Sequence, residues 1–365
     1  MSSDLPFQRI GMGWCVESTS VVIVGAGFSR AATDGDLPLM TGFFDRLHET
    51  TFPELFGFVK GVGCNNVCKC VEEANVERVL IALDQIRSSP ESLLPGWFDS
   101  WKTNVAAIDD QFCRYTLSRL RESGISQGNW AADLLARCGP ETTIISMNYD
   151  NIAERVLSGR AAMIHGSDRP TCPHCKMRLI LERACSCSSR VQFVDNTWRG
   201  ALIKLHGSIA WRRCVNRDCC LYQCLVADQH CRPFDPCQCT NCGANCAPVL
   251  VMPTMRKNLM ELPEISTMWR AAQLAFQKAE SLLMFGFSLP ASDEILIQLI
   301  RSACNSEHSL KRVASIDLDP ESVLNRFASM LPTGYEVETV ALPVERGRVP
   351  DWLDRDCKDI HLSPI

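Results

Sequence analysis

A chain of 365 residues with 46% apolar and 22% charged side chains is long enough to bury a sizeable core. Its net charge of -5 supplies no global basic field, which argues against nucleic acid or an anionic membrane surface as the main partner. The opening MSSDLPFQRI lacks a secretory leader pattern and no apolar run suits a bilayer span, so a cytoplasmic protein is expected.

Residues 1–18 read as an N-terminal arm. In Val21 to Arg30 (VVIVGAGFSR) four β-branched residues run straight into Gly25-Ala26-Gly27. A continuous apolar run predicts a buried parallel strand. Glycines directly after it permit a tight turn and the approach of a phosphate to the N-terminus of the next helix. The third glycine of the dinucleotide fingerprint is replaced by Arg30, so a strand-to-helix turn without a ligand stands as the alternative.

Ser29 to Pro38 reads as a loop, with helical material from about Thr41. Residues 43–140 carry apolar positions at helical spacing, divided by Gly and Pro near 61–63, 90–96 and 124–128. They predict a helical insert after the first strand–helix unit. The αβ pattern then returns. Strands are predicted over Thr142 to Met147, Ala201 to Leu205, Pro248 to Met252, Ser281 to Phe287, Val313 to Leu318 and Tyr335 to Leu342. Helices are predicted over Asn151 to Leu157, Pro263 to Glu280, Ser292 to Ala303 and Pro320 to Met330. This alternation predicts an α/β fold, a Rossmann-like doubly wound parallel sheet.

Cysteine is over-represented at 21 residues, thirteen of them between Cys172 and Cys246. In a reducing compartment this density points to metal rather than disulfides. One candidate zinc set is Cys172, Cys175, Cys185 and Cys187. A second is Cys214, Cys219, Cys239 and Cys242, with 19 residues between Cys219 and Cys239, as in a two-knuckle ribbon. Cys220, Cys224, Cys231, Cys237, Cys246, His174 and His230 remain alternative ligands. One or two structural zinc ions are expected, because four thiolates close a tetrahedral sphere. Cys64, Cys68 and Cys70 form a third cluster without an obvious fourth ligand.

Ligands of open α/β sheets bind beyond the carboxyl ends of the strands. Polar groups follow four predicted strands: Asn148-Tyr149-Asp150, His206-Gly207-Ser208, Ser288 behind Gly286, and Asp317 with Asp319. His206 is the candidate acid–base group, since an imidazole exchanges protons near neutral pH. Asn148 offers an amide to orient a ribose or a water. Asp150 also suits the N-cap of the following helix.

In order, GAGFS (Gly25 to Ser29), MNYD (Met147 to Asp150), KLHGS (Lys204 to Ser208), CTNCGANCAPVLVMP, FGFSL and SIDLDP resemble the motifs of the sirtuin superfamily. Cys214 falls eight residues after His206, where the sirtuin zinc ribbon begins. The resemblance implies a domain built from residues 19–42 and 141–365 that takes NAD+ as substrate. The insert at 43–140 and cysteine-rich modules at 170–190 and 212–247 would accompany it. It implies that Asn148 and His206 flank the nicotinamide ribose, and that Ala26, Gly27 and Ser29 contact the phosphates. Gly286, Ser288 and Asp317 would line the adenosine side, with Gly25 and Asp150 completing the NAD+-binding set.

Two departures follow the resemblance. GDLPLM stands where deacylating sirtuins carry a GIPDFR-type stretch, and MPTMRKN where they carry the FGE-type segment that docks acyl-lysine. LPLM and NYD look more like the divergent sirtuin-like domains of bacterial defence proteins, which degrade NAD+. The expected reaction is hydrolysis of NAD+ to ADP-ribose and nicotinamide, in antiphage defence. NAD-dependent lysine deacylation and a non-catalytic NAD+ or ADP-ribose sensor are the alternatives. An activating protein partner or trigger fits the defence reading. The insert suits either a lid or a homo-oligomer interface.

Overall fold

The computed structural model describes residues 20–39, 42–62, 71–88, 101, 103–120, 124–138, 142–157, 202–219, 226–227, 238–239, 241–251, 263–290, 293–304 and 310–356. The arm at 1–18, the cluster Cys64, Cys68 and Cys70, and the candidate zinc set Cys172, Cys175, Cys185 and Cys187 lie outside the described residues.

Six strands form the main sheet: β1 (Ser20–Val24), β2 (Thr143–Ser146), β3 (Leu202–Lys204), β7 (Ser281–Phe285), β8 (Arg312–Asp317) and β9 (Glu338–Pro343). Every pairing in it is parallel, in the order β3-β2-β1-β7-β8-β9. Numbered within the sheet this is 3-2-1-4-5-6, the doubly wound order of dinucleotide-binding folds. The order reverses between β1 and β7.

Side chains alternate across β1 and both faces are covered. Val21 and Ile23 enter one core with Trp269 and Phe276 of α7 (Pro263–Lys278). Leu296 and Ile300 of α8 (Glu294–Cys304) and Leu324 and Phe327 of α9 (Pro320–Ala328) complete that layer. Val22 and Val24 enter the opposite core with Phe28 and Ala32 of α1 (Ala26–Ala32) and Leu135 of α5 (Trp130–Ala136). Ile152 of α6 (Ile152–Leu157) packs there too.

A third core gathers α2 (Pro53–Val62), α3 (Val76–Ser88) and α4 (Val105–Arg119) around buried Tyr115. Phe43, Phe44, Phe52 and Phe56 surround its ring, and its hydroxyl donates to the Phe43 carbonyl at 2.8 Å. The α5 helix, also within the expected insert, packs instead on the sheet.

One strand is placed differently from the sequence expectation, which sets Pro248 to Met252 among the parallel strands. The strand is β6 (Cys246–Leu250), and it pairs antiparallel with β4 (Gly207–Cys214) in a separate sheet ordered β5-β4-β6, with β5 at Val226–Ala227. Gly207 explains the departure. Its φ of +83° turns the chain out of the parallel sheet, and a Cβ there would lie 2.1 Å from the Val249 carbonyl oxygen. No helix among the described residues is long and apolar enough to cross a membrane.

Candidate active site

The strand ends bring the polar residues onto one edge of the sheet. His206 lies beyond β3, Asn148 beyond β2, Gly25 beyond β1, Gly286 and Ser288 beyond β7, and Asp317 at the end of β8. The Leu205 amide still bonds to the Ser146 carbonyl and the Met147 amide to the Val24 carbonyl, at 3.2 and 3.0 Å. His206 and Asn148 are therefore fixed by ladders that run directly into them.

His206 is 4% exposed. Its Nδ1 lies 3.1 Å from the Met147 carbonyl oxygen, one residue before Asn148. A carbonyl only accepts, so Nδ1 carries the hydrogen and Nε2 is left to exchange a proton. That Nε2 lies 3.3 Å from Oδ2 of Asp293, which is 3% exposed. The rings of Tyr149 and Trp269 stand 6.1 and 6.2 Å from the imidazole. Trp269 donates Nε1–H to the Leu205 carbonyl, and Tyr149 donates its hydroxyl to the Val251 carbonyl. Burial pushes the Tyr149 phenol well above its ordinary range, and the Asp293 carboxylate adds to the rise.

Asn148 donates Nδ2 to the Gly25 carbonyl and to Ser29 Oγ, both at 2.8 Å. With both amide hydrogens committed, Oδ1 is its remaining polar atom. The Ser29 hydroxyl in turn donates to Asp150 Oδ1 at 3.0 Å, and that oxygen also accepts the Ile152 amide that opens α6. Burial raises the Asp150 carboxyl above its ordinary range, against the pull of Lys204, the Ile152 amide and Ser29. Lys204, fully buried, pairs with Glu154 at 2.8 Å and donates to the Asp150 carbonyl. Ser208 donates to the same Glu154 oxygen at 3.0 Å.

The glycine turn carries close backbone contacts to the neighbouring strand end. Gly25 donates its amide to the Phe285 carbonyl at 3.0 Å, and Gly27 donates to the Gly286 carbonyl at 2.9 Å. A Cβ on Gly25 would meet the Gly286 oxygen at 2.4 Å. These glycines let the start of α1 press onto the end of β7 at the point where strand order reverses. Ser29, expected at a phosphate, lies inside the hydrogen-bond chain from Asn148 to Asp150. Arg30 donates to the Leu37 carbonyl at 2.8 Å and shapes the loop after α1. Ser288 is exposed, and its carbonyl accepts from Arg326 at 2.9 Å. Asp317 Oδ1 takes the Asp319 amide at 3.3 Å.

Sequence reasoning missed Lys204 and Asp293. Lys204 had a signal, a lone charge inside the apolar stretch ALIKL. Asp293 immediately precedes a helix and reads as an ordinary cap.

At the far end of β4, the sulfurs of Cys214, Cys219, Cys239 and Cys242 lie within 4.8 Å of one another. Zn–S bonds of about 2.3 Å in a tetrahedron set sulfurs roughly 3.8 Å apart. Cys214 and Cys242 are 3.5 Å apart, and Cys219 and Cys239 are 3.7 Å apart. The four thiols fit one structural zinc. Cys246, opposite Cys214 in the β4–β6 register, is not among them.

The chain is thus a Rossmann-like α/β protein with polar side chains along one sheet edge and a four-cysteine cluster beside it. Solved structures similar to it are sirtuins. A Sir2 homologue–NAD complex is 14% identical with a TM-score of 0.36, over 94% of this chain and 90% of that one. A histidine-to-asparagine mutant of a Sir2 homologue bound to ADP-ribose is 14% identical with a TM-score of 0.40, over 93% and 91%. A Sir2 complex with the inhibitor EX-527, 2'-O-acetyl-ADP-ribose and a deacetylated p53 peptide is 13% identical with a TM-score of 0.37, over 94% of each chain. No protein-family model matches the sequence, and no curated protein does.

Proposed function

We propose that the chain is a cytoplasmic, sirtuin-like enzyme that cleaves the nicotinamide–ribose bond of NAD+ and passes the ribose carbon to water. The observation that carries this reading is the placement of His206 and Asn148. They stand at the ends of adjoining strands, joined through Met147, beside the reversal of a 3-2-1-4-5-6 sheet. The ordered motifs around them supply the choice of NAD+ over other nucleotides.

The work of the protein groups follows from their bonds. Asn148, locked through Nδ2, presents Oδ1 to a ribose hydroxyl or to the attacking water. The C–N bond breaks with its electron pair leaving on neutral nicotinamide, while water forms the new C–O bond. One water proton passes to Nε2 of His206. The products are ADP-ribose, nicotinamide and that proton. Zinc at the four cysteines would hold the β4–β6 sheet and take no part in the chemistry, since four thiolates leave no open position. The likeness of LPLM and NYD to defence-type domains supports a role in antiphage defence, with an activating partner or self-assembly as the trigger.

Purified protein incubated with NAD+, with and without an acetyl-lysine peptide, tests the reading through nicotinamide release. Release without peptide, lost in His206→Ala, is the expected result. Release that depends on peptide makes the chain a deacylase. NAD+ bound without any release makes it a sensor.

A further inference from the structure

His206 meets an acceptor at each ring nitrogen, the Met147 carbonyl at Nδ1 and the Asp293 carboxylate at Nε2. A neutral imidazole has a single N–H. With that hydrogen given to Met147, the Nε2 lone pair faces a carboxylate oxygen 3.3 Å away. Two lone pairs at that distance repel. One proton between them converts the repulsion into a charge-assisted hydrogen bond. Both side chains are buried, so water screens neither state well.

Three further described groups lie near the imidazole. Trp269 on α7 is neutral and its N–H is held by Leu205. Tyr149, after β2, stays a neutral phenol bonded to Val251. Lys204, two residues before His206 on β3, is neutralised by Glu154.

The described residues before Asp293, and Asp293 itself, are held by hydrogen bonds to their backbone. The chain leaves β7 through Gly286, at φ +58°, and passes Leu289, a buried bulky residue at φ +51°. A leucine in the left-handed region is a costly conformation that surrounding structure must impose. The Gly286 amide bonds to Ile316, Arg326 holds the Ser288 carbonyl, and the Asp293 amide bonds to Pro290. The Asp293 carbonyl then starts α8 by accepting from Ile297.

We propose that Asp293 is a positioning residue for NAD+ cleavage, sharing with His206 the proton that the reaction releases, so that the base of the site is the pair rather than the imidazole alone. The inference rests on the reading of His206 as proton acceptor. Once the pair has lost its proton, the lone pair on Nε2 stands against a negative charge and has a strong affinity for the next one. The acid limb of the rate then belongs to the pair.

Asp293→Asn tests this. The amide is nearly isosteric and donates N–H to Nε2, but carries no charge. Imidazole 15N signals of His206, assigned by their loss in His206→Ala, are followed against pH in protein without NAD+. Wild-type His206 is expected to keep its second proton to a pH about one unit or more above that in Asp293→Asn. In turnover, kcat is expected to fall about tenfold or more with KM little changed. The acid limb should move to lower pH, and Asp293→Glu should restore part of the rate. Identical titrations in wild type and Asp293→Asn overturn the proposal. If Asp293→Asn does not fold, the wild type decides alone: His206 must lose its second proton after the other histidines, and any earlier position overturns the proposal. A shifted titration without nicotinamide release under any condition sinks the NAD+ reading and leaves the proton-sharing pair in place. Release with an unmoved titration does the reverse.

Discussion

A Cβ on Gly286 would lie 2.0 Å from the Phe28 amide nitrogen, so the end of β7 and the first turn of α1 meet backbone against backbone. Gly286→Ala must also place an alanine at φ +58°. The left-handed conformation costs about 1–2 kcal/mol for a residue with a Cβ. Pushing the α1 turn aside adds roughly 1–3 kcal/mol. The expected result in urea unfolding is a midpoint lowered to match about 2–5 kcal/mol, with an unchanged slope. A loss under about 0.5 kcal/mol, the ordinary surface value, would show that α1 is not clamped there.

That contact also marks how far the sequence could be read. VVIVG before a turn identifies a strand covered on both faces, because an uninterrupted β-branched run suits little else. Strand order is a different matter, since only pairing sets it. PVLVM looks the same whether it joins a parallel sheet or, as here, contributes to a strand that pairs antiparallel with β4, the strand that begins at Gly207. The cysteine ribbon was legible from spacing, because ligands of one ion have to come close in short knuckles. Asp293 was hidden, as an aspartate ahead of a helix has a sufficient local reason to be there. The glycines carry two meanings that sequence does not separate, since a close backbone approach reads the same for a phosphate and for Gly286.

Lys204 and Glu154 predict a non-additive pair. Lys204→Met leaves the Glu154 carboxylate buried without its counter-charge, at a cost of about 3–5 kcal/mol. Adding Glu154→Leu removes the stranded charge and is expected to recover most of that loss. A double-mutant cycle by chemical denaturation measures it. Simple addition of the two single losses would mean the ion pair is not coupled.

Asp150 predicts a pH dependence of stability with a definite sign. Its folded carboxyl is raised by burial above the ordinary value near 3.9. Between those two values the folded state binds more protons than the unfolded chain, so this group's contribution to stability falls as pH rises. Asp150→Asn keeps an oxygen for Ser29 and for the Ile152 amide but does not titrate. The stability of the variant relative to wild type should therefore climb from about pH 4 upward. A difference that stays flat or falls across that range contradicts the assignment.

The cysteine cluster predicts metal that can be counted. Cys239→Ser should lower zinc bound per chain by about one equivalent and lower the melting temperature, as structural zinc contributes directly to folding. Cys246→Ser, across the β4–β6 ladder, should leave the zinc content unchanged. Wild-type protein that purifies without metal, or a Cys239→Ser variant with full zinc, would remove the cluster from consideration as a metal site.

Asn148 is held by two acceptors, and the two bonds make separable predictions. Asn148→Asp sets a carboxylate oxygen against the Gly25 carbonyl and a second negative charge near Asp150. The Gly25 oxygen keeps the Phe28 amide at 3.0 Å, but losing the Asn148 bond and facing a carboxylate oxygen costs about 1–3 kcal/mol of stability, and nicotinamide release should fall roughly a hundredfold. Ser29→Ala removes one anchor yet keeps Oδ1 and the Gly25 bond. Its expected effect is a kcat lowered about tenfold with KM unchanged, because a loosened amide misplaces the reacting partner without weakening the grip on the rest of the nucleotide. If Ser29→Ala instead raises KM and spares kcat, Ser29 acts in binding, as its place in GAGFS suggests, and the hydrogen-bond chain to Asp150 is not what orients Asn148.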